Sequence, residues 1–169
     1  MDVEVNEIVQ DYKINFDGKT CIVYINYKKM SKFVISFETN DLFHLLGFHK
    51  VTRLRATRWV NLVNKNQFVL SNYKNHPDFR EVLSRIDNYL FLYELFYQDR
   101  VKICILEKDL ARNPMKLQVI FYKEEDTKVI ILGLKKDFSG VYKLVTLHEA
   151  KKDKYSGLRK TNVEKIEWS

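Results

Sequence analysis

Apolar and polar positions alternate along residues 19–27, with Cys21, Val23, Ile25 and Tyr27 on one side. That is the period of a half-buried strand. Lys28 to Ser31 make a turn, and residues 32–38 alternate again through Phe33, Ile35 and Phe37, so the two runs predict a hairpin. The preceding residues 1–18 have mixed polarity, and Val3, Val5, Ile8 and Val9 predict a short strand or a docked arm. After the hairpin the period changes. Thr39, Asn40 or Asp41 can cap a short helix in which Phe43 and Leu46 share one face, with Leu42 and Leu45 beside it. Gly47 then stands where a helix stop wants a residue tolerant of positive φ. Trp59, Leu62 and Val63 give helical spacing within residues 54–66, with Arg55 and Arg58 on the other side. Residues 67–75 predict a loop. His76-Pro77-Asp78 opens the longest helix, with Phe79, Val82, Leu83, Ile86, Leu90, Tyr93 and Tyr97 recurring at three and four up to about residue 98.

From Val101 the period is two. Residues 101–106, 116–123 and 129–134 predict three strands, the last apolar on both faces as in a central strand. Ser139-Gly140 turns the chain into a fourth, residues 141–148, with Tyr142, Thr146 and His148 on one face. The tail from Glu149 is polar, and Ile166 and Trp168 predict an edge strand at its end. The expected fold class is α+β, with helices packed on an antiparallel meander of about four strands and an added N-terminal hairpin. With no repeat and no linker, one domain is expected over 1–169, made of an arm and hairpin (1–38) and a core (39–169).

Composition narrows the function. Hydrophobic residues make up 46% of 169, enough for a real core. No apolar run approaches 18 residues, so no membrane partner is expected, and a cytoplasmic location is. Cys21 and Cys104 sit in apolar runs and read as buried thiols. The net charge is +7, and its placement matters more than its size. From Leu42 to Pro77 there is no Asp or Glu, while Lys50, Arg53, Arg55, Arg58, Lys65 and Lys74 supply cations. Such a stretch raises the local potential and favours a polyanion.

The candidate chemistry gathers at Gly47. His49, Lys50 and Arg53 follow it at once, joining proton-transfer groups to fixed positive charge. His44, Leu45, Leu46, Gly47, His49 and Lys50 together resemble the His-Leu-Leu-Gly-x-His-Lys signature of the phage-associated, group-four nucleases of the barnase–EndoU–colicin–RelE-like (BECR) fold. The resemblance implies an α+β BECR-like core, to which the hairpin would be an addition, and a nuclease. It also implies an acidic residue shortly after the lysine, where this chain has Val51, Thr52 and Arg53. RNA can be cut without metal, by one group taking the 2′-OH proton, another protonating the leaving oxygen, and cations stabilising the phosphorane.

On that chemistry His49 and Lys50 are expected to be catalytic, and the resemblance, which implies active groups on the sheet as well, adds His148 and Thr146 to the catalytic set. Arg53, Arg55, Arg58, Lys154, Tyr155 and Arg159 are expected to hold nucleic acid. Gly47 shapes the turn, and His44 is expected to be a buried histidine that orients it. His76 reads as a residue at the start of a helix. No metal site and no cofactor is expected, since no metal-ligand spacing and no glycine-rich phosphate loop occurs. The expected function is a metal-independent endoribonuclease, a toxin or effector carried by a phage or mobile element, with RNA as partner. The alternative is a non-catalytic nucleic-acid-binding or protein-interaction module on the same fold, docking on a host or phage protein in counter-defence.

Overall fold

The computed structural model describes residues 2–169. The first helix, α1, runs over Asp2–Asn15 where a strand or arm was expected. Val5, Ile8, Val9, Tyr12 and Phe16 are all buried, and their spacing of three and four is a helical face. Gly18, at φ +76°, then turns the chain into β1, Thr20–Ile25.

β2, Lys32–Ser36, pairs antiparallel with β1. Three helices follow in the first half, α2 (Leu42–Leu45), α3 (Ala56–Asn64) and α4 (Phe79–Asp87). The expected long helix is broken. α4 stops at Asn88, whose side-chain amide donates to the Ser84 carbonyl at 2.9 Å, and α5 restarts at Phe91–Phe96. Residues 67–75 contain a 3-10 turn, Leu70–Tyr73, with Leu70 buried.

The second half is β3 (Ile103–Leu106), β4 (Val119–Glu124), β5 (Lys128–Lys136), β6 (Tyr142–Lys151), a one-turn helix α6 (Asp153–Ser156) and β7 (Thr161–Trp168). Neighbours run β1-β2-β6-β5-β4-β3-β7, and β7 returns to β1. This corrects the expected fold class. The sheet is a closed, mixed seven-stranded barrel, not an antiparallel meander of about four strands beneath helices.

The N-terminal hairpin is therefore no addition, because β1 and β2 are staves of the barrel. The tail strand is no edge either, since β7 pairs with β1 on one side and β3 on the other. Its sequence hides this: Thr161 and Val163 are buried while Asn162, Glu164 and Lys165 face water.

Closure between β2 and β6 is slight. They run parallel and share one residue pair, Ile35 with Tyr142. Beyond Tyr142, β6 has no strand on that side among the described residues, and α2 and α4 pack against it there. The main core fills the barrel and continues beneath the helices, where Trp59, fully buried, lies 4.8 Å from the Phe48 ring and 5.8 Å from that of Phe43. A second cluster, including Ile105, Ile120, Ile131 and Tyr155, lies apart from it.

One irregularity aims a side chain. The β5–β6 register shifts between Gly133 and Leu134, so that Thr146 faces Gly133 and Leu144 faces Leu134, with Val145 extra. A bulge of this kind changes which face the following residues take. Tyr142, Leu144 and Leu147 belong to the main core. Thr146 and His148 therefore turn outward, and Tyr142 does not share their face as simple alternation predicts. A β-carbon on Gly133 would lie 2.7 Å from a Leu117 methyl and 2.9 Å from the Thr146 methyl. Gly133→Ala is expected to destabilise by about 1–3 kcal/mol, the usual range for overpacking. Urea unfolding checks this, and an unchanged midpoint would refute it.

Candidate active site

The site begins with a short, tightly tied segment. Glu38 and Asp41 form a capping box around the 3-10 turn Thr39–Asp41 that leads into α2. Within α2 and just after it, Leu42, Phe43, Leu45 and Leu46 are buried and hold the single turn of helix to the core. Gly47 has φ +80°, and the 3-10 turn Phe48–Lys50 follows, with Phe48 buried and His49 and Lys50 exposed. His44 is exposed as well, not buried as expected. Its ring stacks on His49 with centroids 4.9 Å apart and planes at 30°.

Beneath this turn lies Arg85 of α4, 3% exposed. Its guanidinium donates to the carbonyls of His44 at 3.2 Å and Leu45 at 3.1 Å, at the end of α2, and the His44 carbonyl also accepts the Gly47 N–H at 3.0 Å. It also donates to Glu81 at 2.8 Å. Glu81 takes Lys50 too, at 2.8 and 2.9 Å through its two oxygens. A β-carbon at Gly47 would sit 3.1 Å from Arg85 Cδ and Nε. Glycine thus serves twice here, for its backbone angle and for the room it leaves. Glu81 supplies an acid beside Lys50 from a distant helix, where the residues after Lys50 supply none.

Neither Glu81 nor Arg85 was legible as a site residue. One signal was present, because Arg85 lies three positions after Val82 and four before Tyr89, in register with an apolar stripe. A cation at such a position needs a buried partner.

His148 lies on β6, half-buried, with its Nδ1 2.8 Å from the hydroxyl of the buried Thr146. α4 reaches the same strand through Ser84, which donates to Glu149 at 2.8 Å, and Lys128 also pairs with Glu149. Both imidazoles are pushed down to about 4. For His49 the causes are desolvation, then the His44 ring, Arg85 and Lys50, against Glu81. For His148 they are burial, then Arg85, Lys154 and Lys50, again against Glu81. Arg85, Lys50 and Glu81 thus bear on both histidines, after burial. Burial lifts the Glu81 carboxyl, but hydrogen bonds from Lys50 and Arg85 outweigh it and hold Glu81 below its ordinary value.

The other expected residues are placed as follows. Arg53 and Arg55 lead into α3 and Arg58 lies on it, all three exposed. Lys154 and Arg159 are exposed beside β6 and β7, while Tyr155 is buried with its ring 6.2 Å from Tyr122. His76 stands apart, accepting the Asp78 N–H at 3.1 Å just before α4. The two cysteines are buried, and burial pushes both thiols up to about 12. Among the described residues no group of three or more His, Cys, Asp and Glu is arranged to hold a metal, and no helix is long and apolar enough to cross a membrane.

A family model described as phage-Barnase-EndoU-ColicinE5/D-RelE like nuclease4 matches residues 4–167. The chain belongs to that family. No curated protein and no solved structure matches it. The match covers nearly the whole barrel, so β1, β2 and β7 fall inside this nuclease family's domain, along with the turn that carries His49 and Lys50.

The depressed His148 has a consequence for stability. Unfolded, the imidazole titrates near 6.5, so between pH 6.5 and about 4 the unfolded chain binds more protons. Stability contributed by His148 is therefore present above pH 6.5 and is lost as pH falls through that window. Asp41, raised to about 6 chiefly by burial, acts with the opposite sign between pH 4 and 6. The comparison of His148→Gln with the parent isolates the histidine. Urea unfolding at pH 7.0 and 4.5 is expected to show a smaller loss at low pH in the variant, and equal losses would refute the assignment.

Proposed function

We propose that this nuclease-family protein is a metal-independent endoribonuclease that cleaves by transphosphorylation. The observation that supports this reading is that α4 ties both histidine-bearing elements, through Arg85 and Glu81 to the turn of His49 and Lys50 and through Ser84 to Glu149 beside His148. A neutral imidazole accepts a proton at ordinary pH, and an approaching phosphate raises its affinity for one.

In this reading Thr146 fixes the ring of His148 through Nδ1, and Nε2 takes the proton of a ribose 2′-hydroxyl. The 2′-oxygen attacks phosphorus, the bond to the 5′-oxygen breaks, and His49, which takes up a proton from solvent as the phosphate binds beside it, gives that proton to the leaving oxygen. The products are a 2′,3′-cyclic phosphate and a 5′-hydroxyl. Lys50 faces the charge that develops on the phosphorane. Arg85 touches backbone and Glu81, so it positions the turn. Its charge bears on both imidazoles, and Glu81 holds Lys50 and Arg85 in register. The donor set supports independence from metal, because Glu81 already takes two cations and Glu149 takes Lys128, leaving each a poor ligand for a metal. In this reading the exposed Arg53, Arg55 and Arg58 hold phosphates beyond the scissile bond.

Incubation of the protein with RNA in EDTA is expected to give fragments ending in 2′,3′-cyclic phosphate, with DNA intact because it lacks the 2′-hydroxyl. His49→Ala is expected to lower the rate by about two to four orders of magnitude, and His76→Ala to leave it unchanged. Full activity in His49→Ala, or activity only with added divalent metal, would overturn the mechanism. Absence of any RNA cleavage by the parent would overturn the ribonuclease reading itself.

Two further outcomes follow. The ratio kcat/KM, which reports the free protein, is expected to peak near pH 4, where both imidazoles titrate. The kcat optimum is expected at higher pH, since bound phosphate raises His49, and superposed profiles would refute this. Replacing Arg55 and Arg58 by Ala is expected to flatten the salt dependence of RNA binding by about one unit per lost phosphate contact, and an unchanged slope would exclude them as phosphate ligands.

A further inference from the structure

At one end of the barrel stands an aromatic ring that the fold does not use. Residues 137–141 join β5 to β6, and Phe138 in that turn is fully exposed. The turn beneath it is tied. The Asp137 carboxylate accepts the N–H groups of Ser139 at 2.9 Å and Val141 at 3.1 Å, and the Ser139 hydroxyl at 2.6 Å. The Asp137 N–H reaches the Val141 carbonyl at 2.8 Å, and Gly140 closes the turn at φ +86°. At its base the Gln118 side chain accepts the Lys136 N–H at 2.6 Å. A ring held in water on so constrained a turn adds nothing to the core. Little further ordering is needed when it meets a ligand.

The surroundings are cationic. β2 and β6 run parallel, so the turn that leads into β2 opens at the same end as the Phe138 turn. It carries Lys28 and Lys29, with Lys32 at the start of β2 and Lys136 at the end of β5, all four exposed. Among the described residues none of the four is in an ion pair. A groove beside the Phe138 turn is lined by Ile22, Val34, Val141, Lys32 and Lys136 among others, and its lining contains no carboxylate. Ile22 and Val34 face outward there, opposite each other across β1 and β2. The Asp137 carboxylate is taken up by the turn itself.

An exposed ring among unpaired cations suits a single-stranded nucleic acid, whose bases offer faces for stacking and whose phosphates offer charge. A membrane surface calls for a broader apolar face than one ring, and a duplex hides the faces of its bases. From the turn, β6 leads to His148, about 20 Å on at the usual rise of a strand. Lys143, paired with Glu38, lies on its outer face between them. We propose that the β5–β6 turn is a second contact site for single-stranded RNA, away from the reacting bond. Phe138 stacks on an unpaired base, and Lys28, Lys29, Lys32 and Lys136 hold the neighbouring phosphates. The site rests on the ribonuclease reading for its purpose. It has no strong preference among bases, because every base has a face to stack.

The test follows the fluorescence anisotropy of a labelled 2′-O-methyl RNA of about 16 nucleotides, the upper end of one small domain's site. Transphosphorylation cannot cleave it. With the full chain at low salt, Phe138→Ala is expected to weaken binding about tenfold at an unchanged melting temperature, within the range for one stacked base. Phe138→Trp is expected to keep the parent's affinity and Phe138→Leu to lose it, which separates stacking from apolarity alone. A duplex of the same sequence is expected to bind the parent and Phe138→Ala alike. Replacing Lys32 and Lys136 by Ala is expected to flatten the salt dependence by about 0.7 per lost phosphate contact. Unchanged single-strand affinity in Phe138→Ala, full affinity in Phe138→Leu, an equal loss on duplex, or an unchanged salt slope in the lysine variant would overturn the site. Phe138→Ala that loses binding to phosphatidylserine vesicles and keeps its oligonucleotide affinity would assign the turn to a membrane instead. Weakened oligonucleotide binding in Phe138→Ala, with no cleavage of any RNA by the parent, would keep the site and remove the ribonuclease reading. Cleavage by the parent, with affinity unchanged in Phe138→Ala, would do the reverse.

Discussion

The geometry of the candidate site depends on one buried cation. A guanidinium that is 3% exposed is costly to remove from water unless its donors find acceptors of matching geometry. Arg85 meets that condition with two backbone carbonyls and one carboxylate, while its Nε remains without a hydrogen-bond partner. Because the Glu81 side chain is 36% exposed, solvent screens this pair, and losing the carboxylate costs less than the about 3–5 kcal/mol of a pair buried on both sides. The arrangement is strict because each participant constrains another. The carbonyls fix where α2 ends, the guanidinium excludes a side chain at Gly47, and the glycine sends His49 back to stack on His44. Lys50 reaches Glu81 because the same carboxylate already holds Arg85. A turn that exposes two imidazoles is thereby held from below by α4, not by its own hydrogen bonds alone.

Much of the local structure was legible in the sequence, and the reasons are specific. β1 and β2 alternate cleanly because one face of each is buried and the other is not. The turn around Gly47 was legible because an apolar pair and a residue tolerant of positive φ follow in order, although the capping residue is Glu38, ahead of the three expected. α1 was misjudged because Val3 and Val5 mimic alternation, whereas the helical face only becomes clear through Tyr12 and Phe16. The break at Asn88 was missed because the apolar stripe continues across it, through Tyr89 and Phe91.

The barrel itself was not legible, because side-chain periodicity says which faces are buried but not which strands are neighbours. Pairing of β7 with β1 joins the ends of the chain, and nothing local announces it. The candidate site divides in the same way. His49 and Lys50 are adjacent in sequence and stood out together. Glu81 and Arg85 are brought to them by packing alone. The outward turn of His148 depends on one extra residue in β6, and a bulge leaves no mark in a run such as Leu144 to Leu147.

Closure of the barrel by its last strand also sets an order of events during synthesis. Cys21 must wait for Trp168 before β1 gains its second neighbour, and β3 must wait for Thr161. At ordinary translation rates that interval is on the order of 10 s. Until it ends, β1 and β3 each present an unpaired edge, and contacts this distant along the chain form slowly even once all residues are present. A truncated or stalled chain therefore carries the motif residues without the closed frame that holds them. Assembly of the frame that holds the Gly47 turn is thereby tied to the arrival of β7.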